Sequence, residues 1–175
     1  LEFRRVLFRS RIYLGEITSW ADPAIRALNP KATIPDLKIT PVYRTGNSGT
    51  TYNFTDYLQA ASPSWKIRVG SGQAVSWPTG TGVSGSAGVV GVVANTPGAL
   101  GYVDTAFAIV NHLRFAAIKN RAGRFVSPSI RNVVAAASAV TSVPPSNELH
   151  IVDPPKEFAT AYPIATYTYI IVPTR

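Results

Sequence analysis

The residues best placed to do chemistry are the run Arg44-Thr45-Gly46-Asn47-Ser48-Gly49-Thr50-Thr51. It lies between a stretch that reads as a strand, Ile39 to Tyr43, and one that reads as a helix, Gly49 to Ala61. A helix start leaves its first amides without intrahelical acceptors, and the helix dipole adds positive potential there. Ser48 falls at the cap or one residue inside, so the amides of Gly49, Thr50 and Thr51 are expected to point out of the helix end. Ser48, Thr50 and Thr51 add hydroxyl donors, and Gly49 lets a ligand oxygen approach the backbone. Arg44, at the end of the strand, supplies a forked and permanently charged set of donors. The set suits a free tetrahedral oxyanion. On pattern alone, the alternative is an ordinary Ser/Thr helix cap beside a surface arginine.

Other constellations are thinner. A nucleotide P-loop needs Gly-x-x-x-x-Gly-Lys-Ser/Thr, and no glycine here is followed by that lysine. Gly80 to Gly85 matches Gly-x-Gly-x-x-Gly, with Asp104 further on, but Trp77-Pro78 precedes it rather than a clear strand. There is no Gly-x-Ser-x-Gly elbow, and no His/Asp/Glu cluster has metal-ligand spacing. His112 and His150 stand far apart in sequence and read as structural or surface residues; Trp20, Trp65 and Trp77 read as packing residues. No catalytic residue is assigned.

The elements that must position Arg44 and the helix start follow from a pass along the chain. Ile12, Tyr13, Leu14 and Ile17 form a short apolar face. Asp22-Pro23 opens a helix to about Leu28, and Asn29-Pro30 stops it. Pro41 argues that the Ile39 to Tyr43 strand is an edge or carries a bulge. Phe54, Tyr57, Leu58 and Ala61 recur at helical spacing, and Ser62-Pro63 starts a shorter helix to Val69. The Gly/Ser/Thr-rich stretch from Gly70 reads as loop until a helix opens near Ser84 or Ser86 and runs to about Ala94. Pro97-Gly98 is a turn before a strand, Leu100 to Val103. Phe115 to Ile118 and Arg124 to Val126 read as paired strands around the Asn120 to Gly123 turn. Ser127-Pro128-Ser129 caps a helix to about Ala139, Thr141 to Ser146 is a linker, and Tyr167 to Val172 reads as a strand. Alternating strands and helices argue for an α/β sandwich.

Composition bounds the classes. The chain has 175 residues, 46% of them hydrophobic and 15% charged, with no Cys. That excludes a disordered chain, a coiled coil and a disulfide-stapled miniprotein. No apolar run reaches the roughly 18 residues of a membrane helix. The net charge of +8 has no block of like charges, and the one basic cluster, Lys119 to Arg124, reads as a hairpin tip, so nucleic acid is not expected as a partner. The chain contains no Met and is expected to be a processed product or fragment. Leu1 to Ser10 (LEFRRVLFRS) shows neither helical periodicity nor a cap, and reads as a non-native leader outside the fold.

Several stretches, taken in order, resemble the phosphate-binding proteins of bacterial phosphate ABC transporters, the PstS family. They are Ile12 to Ile17 with Trp20, Asp22 to Ile25, Leu28 to Pro30, and Arg44 to Thr51 with Phe54 to Leu58. Thr96 to Val103 and Tyr162 to Ile164 complete the series. The resemblance implies a type II periplasmic-binding fold, in which two α/β lobes close on dehydrated phosphate. It implies phosphate ligands at Arg44, Ser48, Gly49 and Thr50, no cofactor, no enzymatic activity, and delivery of inorganic phosphate to a membrane permease. Where the family commonly has an Asp two residues after the arginine to orient it, this chain has Gly46.

The same resemblance implies a periplasmic or extracellular protein, free or lipid-anchored, monomeric at full length. Residues 11–155 would be its second lobe and residues 156–175 a hinge-crossing return strand. The other lobe, with its proton-accepting Asp, would precede Arg11. The other classes the residues leave open are a binder of sulfate or molybdate and a phosphatase-like enzyme on a related lobe.

Overall fold

The computed structural model describes residues 2–3, 7–146 and 149–169. After a two-residue strand β1 (Glu2–Phe3), helix α1 (Leu7–Tyr13) puts Phe8 and Ile12 one turn apart on a buried face. The helix therefore begins inside the stretch that reads as a leader without helical periodicity. Phe8 is 5% exposed, and Arg9 donates to the Tyr57 hydroxyl at 3.3 Å. Helix α2 (Pro23–Leu28) has the expected cap: the Asp22 carboxylate accepts from the Ala24 amide at 2.8 Å, and Pro23 occupies a first-turn position that needs no N–H.

Strand β2 (Thr40–Thr45) leads into α3 (Gly49–Ala61) and α4 (Pro63–Arg68), the latter capped by Ser62. Strand β3 (Thr81–Ser84) runs straight into α5 (Gly85–Asn95), and β4 (Ala99–Leu100) is followed by α6 (Thr105–Val110). Strands β5 (Ala117–Lys119) and β6 (Phe125–Val126) form the expected antiparallel hairpin, and α7 (Ile130–Ala137) is capped by Ser129.

Two sheets result. The first is all parallel in the order β3-β2-β4, and the second is β1-β5-β6. In the first sheet β2 is central, although Pro41 argues for an edge or a bulge. Register allows this. Pairing with β3 begins only at Val42, opposite Thr81, so Pro41 sits where β2 has a neighbour on the β4 side alone. Strand β3 lies in a stretch that reads as loop, because Thr-Gly-Val-Ser carries no apolar alternation. Gly82 is required there: a Cβ would stand 2.8 Å from the Thr45 methyl and 2.9 Å from the Tyr43 ring across the ladder. This accounts for the Gly-x-Gly-x-x-Gly match as strand packing rather than a phosphate loop. The turn before β4 uses Gly98 at φ +83°, where a Cβ would stand 2.3 Å from the Lys38 carbonyl oxygen.

The core is aromatic. Tyr43 stacks on Trp77, Trp77 on Tyr102, and Tyr102 on Phe54 at 4.5 Å between centroids, with Tyr13 edge-on to Phe54. Trp65 is fully buried and donates its indole N–H to Gly70 O at 2.8 Å, so the tryptophans pack as the sequence suggests. Gly101 faces α5 so closely that a Cβ would meet Val89 at 2.5 Å, which seats that helix on the sheet. A smaller cluster of Ala136, Ile151, Ala161 and Ala165 packs under α7. The hairpin turn is pinned there by Asn120, whose amide donates to Ala159 O and Ala161 O, and by an Arg121–Asp153 ion pair at 2.8 Å. Tyr167 to Tyr169 is not strand, for it has no ladder partner, and the rest of that expected strand lies outside the described residues. Helix α6 was not foreseen: Phe107, Ile109 and Val110 are exposed, so no apolar face betrays it.

Burial raises the pKa of Tyr13, Tyr57 and Tyr102 above 10.0, and that of Tyr162 to about 12. The unfolded chain ionises its tyrosines first. Their contribution to stability is therefore complete below pH 10.0 and is lost as pH climbs toward 12. Urea midpoints followed from neutral to strongly alkaline pH should fall over that window together with the rise of tyrosinate absorbance; a flat midpoint would contradict the burial of these phenols.

Candidate functional site: the start of α3

Each parallel strand of the first sheet points its C-terminal end at a helix start. The chain steps from β2 to one neighbour, β3, then crosses to the other, β4. Ligand crevices in parallel α/β sheets form outside such strand ends, where the order reverses. Arg44, the α3 start and the loop after β4 meet at this place.

Ser48 is the N-cap of α3, with extended backbone, and its Oγ accepts from the Thr51 amide at 3.1 Å. The Ser48 amide is itself held by Gln73 O at 2.9 Å, which ties the cap to the loop after α4. Gly46 makes the turn at φ +73°, a conformation open to glycine. The amides of Gly49 and Thr50 donate to no protein acceptor among the described residues, and the space where a Gly49 side chain would stand is empty. Of the three amides expected to face outward, then, two do; Thr51's is taken by its cap.

Arg44 is one residue from the end of β2, opposite Val83. Its terminal nitrogen donates to the Thr50 Oγ at 3.3 Å, so the guanidinium lies along the helix start. Its Nε is shielded from solvent and has no hydrogen-bond partner among the described residues. A charged group with an unmet donor is one that an anion nearby would stabilise.

The hydroxyls are spoken for differently than the pattern suggests. Thr51 is fully buried, and its Oγ shares a proton with the Tyr102 hydroxyl at 2.7 Å. Tyr102 also accepts from the Arg44 amide at 3.2 Å. One phenol thus ties the end of β2 to the first turn of α3. Burial raises its pKa despite the Thr51 and Arg44 hydrogen bonds, which act the other way, so it stays a neutral phenol. The Thr50 hydroxyl donates toward the Asp104 carboxylate at 3.5 Å. Tyr102 and Asp104 went unassigned from sequence; both follow β4 in Gly101-Tyr102-Val103-Asp104, and a strand end beside a glycine was the available signal.

An open cavity of about 370 Å³ begins at Thr50 and Asp104 and continues between α5, α6 and the Arg114 to Ile118 stretch. It is mostly apolar beyond its polar mouth. The histidines lie elsewhere. His112 follows α6 in the left-handed region, and His150 pairs with Asp56 on α3, which also accepts from Gln59. Among the described residues no three His, Asp or Glu form a group that could hold a metal.

A parallel α/β sheet with a helix start of uncommitted amides at its strand ends is the arrangement of a candidate ligand-binding lobe. Residues 10–175 match the model of the PBP superfamily domain, and the chain belongs to that family. It is similar to the phosphate-binding protein PstS of Xylella fastidiosa, 39% identical over 164 residues, which is 94% of this chain and 45% of that protein. PstS of Pasteurella multocida is 46% identical over 127 residues, covering 73% of this chain and 37% of that one. PstS of Methanocaldococcus jannaschii is 39% identical over 92% of this chain and 44% of its own length. The chain thus spans less than half the length of these relatives. Among solved structures, a high affinity periplasmic phosphate-binding protein (PfluDING) bound with phosphate superimposes with a TM-score of 0.54. It is 24% identical, over 78% of this chain and 39% of that one, which bears on the fold alone.

Changing Tyr102 to Phe removes one hydroxyl and leaves the buried Thr51 Oγ and the Arg44 amide without it. The expected loss is about 1–3 kcal/mol of stability, read from urea unfolding of the two proteins; an unchanged midpoint would show that the phenol does not hold the two elements together.

Proposed function

We propose that this chain supplies one side of an inorganic-phosphate site in a substrate-binding protein that serves a membrane permease of an ABC importer, outside the cytoplasmic membrane. The observation that carries the reading is the pairing of Arg44 with the start of α3: the guanidinium lies against Thr50, and the Gly49 and Thr50 amides are uncommitted. Phosphate offers four oxygens around one centre. Two adjacent amides and a forked cation can each take a different one. Each charge-assisted hydrogen bond contributes roughly 1.5–3 kcal/mol net. Arg44, Gly49 and Thr50 are read as direct ligands. Ser48, 4% exposed and engaged as the acceptor for Thr51, is read as the residue that shapes the helix start, with its own hydroxyl proton left to donate to the anion.

The reading is of binding rather than turnover. The matched relatives are named as binding proteins, and the Ser48 oxygen is occupied as a helix cap rather than activated by a base. The lobe that carries the site is read as the β3-β2-β4 sheet with α3, α5 and α6. Strands β5 and β6 stand in the other sheet, so the crossing toward a second lobe is read as beginning near Leu113, earlier than Lys156. A second lobe closing over the site would bring the remaining donors and an acceptor for the phosphate proton.

Two measurements test this. In the full-length protein that carries this chain, calorimetry should show Arg44→Ala weakening phosphate binding by at least about a hundredfold, the loss of roughly two charge-assisted bonds. Lys66→Ala, on the exposed face of α4, should leave it within about twofold, a difference of under half a kcal/mol; equal losses would remove Arg44 from the site. The 175-residue chain alone should bind phosphate far more weakly than the full-length protein. Submicromolar affinity in the isolated chain would overturn the one-sided reading.

A further inference from the structure

Asp104 is the N-cap residue of α6, yet its carboxylate accepts from none of that helix's amides. An Asp at an N-cap ordinarily does so, with a gain of about 1 kcal/mol. Here only the Asp104 carbonyl joins the helix, accepting from the Phe107 amide at 3.0 Å as any N-cap carbonyl does. The carboxylate instead receives the Thr50 hydroxyl, which in turn receives the Arg44 guanidinium at 3.3 Å. Arg44, Thr50 and Asp104 come from β2, α3 and the loop after β4, the three elements that converge on the strand ends. Gly46 offers the guanidinium no carboxylate, and Arg44 makes no ion pair among the described residues.

We propose that Asp104 is a positioning residue for the anion site, acting on Arg44 through Thr50. A hydroxyl has one proton. With that proton turned to Asp104, the Thr50 oxygen presents its lone pairs to Arg44 and holds the guanidinium against the helix start. The same arrangement removes the Thr50 hydroxyl from the set of donors available to a ligand. The anion then meets the Thr50 amide, the Gly49 amide and Arg44, while the carboxylate stays one hydroxyl away from it. The inference rests on the phosphate reading for its ligand but not for its geometry.

Both parts can be tested separately. In the full-length protein that carries this chain, titrated with inorganic phosphate, Asp104→Ala should weaken binding about tenfold, the loss of one hydrogen bond's worth of positioning. Asp104→Asn, whose amide oxygen accepts the same hydroxyl, should recover all but about threefold. Thr50→Val should abolish the effect, so that the double variant Thr50→Val with Asp104→Ala binds no more weakly than Thr50→Val alone. Losses that multiply, or an Asp104→Ala variant indistinguishable from the parent, would overturn the proposal.

The second readout needs no ligand. The Nε–Hε NMR signal of Arg44 in the phosphate-free protein should be sharp in the parent and in Asp104→Asn, and exchange-broadened in Asp104→Ala. An unchanged signal in Asp104→Ala would sink the positioning role even if phosphate binds. A parent that fails to bind phosphate but shows the broadening would sink the ligand and leave the relay standing.

Discussion

The hydroxyl of Tyr102 is where the core, the sheet and the helix start are joined. Its ring is the middle of the aromatic stack from Trp77 to Phe54, so its position is set by apolar packing. Its oxygen takes the Arg44 amide from β2 and shares a proton with Thr51 on α3. A strand end and a helix start separated by a glycine-bearing turn could adopt many relative placements. A phenol fixed by stacking and bonded to both selects one. The distance between the Arg44 side chain and the Gly49 and Thr50 amides is therefore a property of the core, not of the turn. This is also why the raised pKa of Tyr102 matters: an ionised phenolate could not share a proton with Thr51 as donor, and its charge would sit beside the anion site.

Hydroxyls close to a helix start are often counted as ligands, and the structure sorts them by geometry instead. Ser48 caps, Thr51 braces against Tyr102, and Thr50 bridges Arg44 and Asp104. What is left uncommitted is two backbone amides, the guanidinium Nε and the Ser48 hydroxyl proton. Backbone amides cannot rotate away, and they pay no side-chain entropy on binding. On the proposed reading, a site built on two amides and a forked cation is rigid where it needs to be, with Thr50 and Thr51 holding it so.

Much of this was legible in the residues. The cap and extent of α3, the Asp22-Pro23 and Ser62-Pro63 helix starts and the Asn120 turn all follow from local chemistry, because caps and glycine turns act within four residues. What was not legible depends on long-range pairing. Strand β3 exists because β2 offers it a ladder, and its glycine is dictated by Tyr43 and Thr45 across that ladder. Pro41 in a central strand is allowed by where the β3 register begins. The helical turn before Arg11 is held by Phe8 reaching the core, a contact that no window over Leu1 to Ser10 contains. Tyr102 and Asp104 belong to the same class: they join the site across 51 and 54 residues of chain.

On the proposed reading, the distribution of donors calls for a partner surface. The uncommitted Gly49 and Thr50 amides and the Arg44 guanidinium all come from β2 and the start of α3, and the space where a Gly49 side chain would stand is empty. In water an exposed ion gains little from a few such bonds, because solvent competes for every oxygen and screens the guanidinium. The same donors become strong only when a second surface excludes that water and meets the remaining oxygens, which lowers the local dielectric around bonds already in place. The order of construction is then set by physics: a core that fixes Tyr102, a phenol that fixes the helix start to the strand, and a start that presents bare amides, to which the proposed reading adds a closing surface.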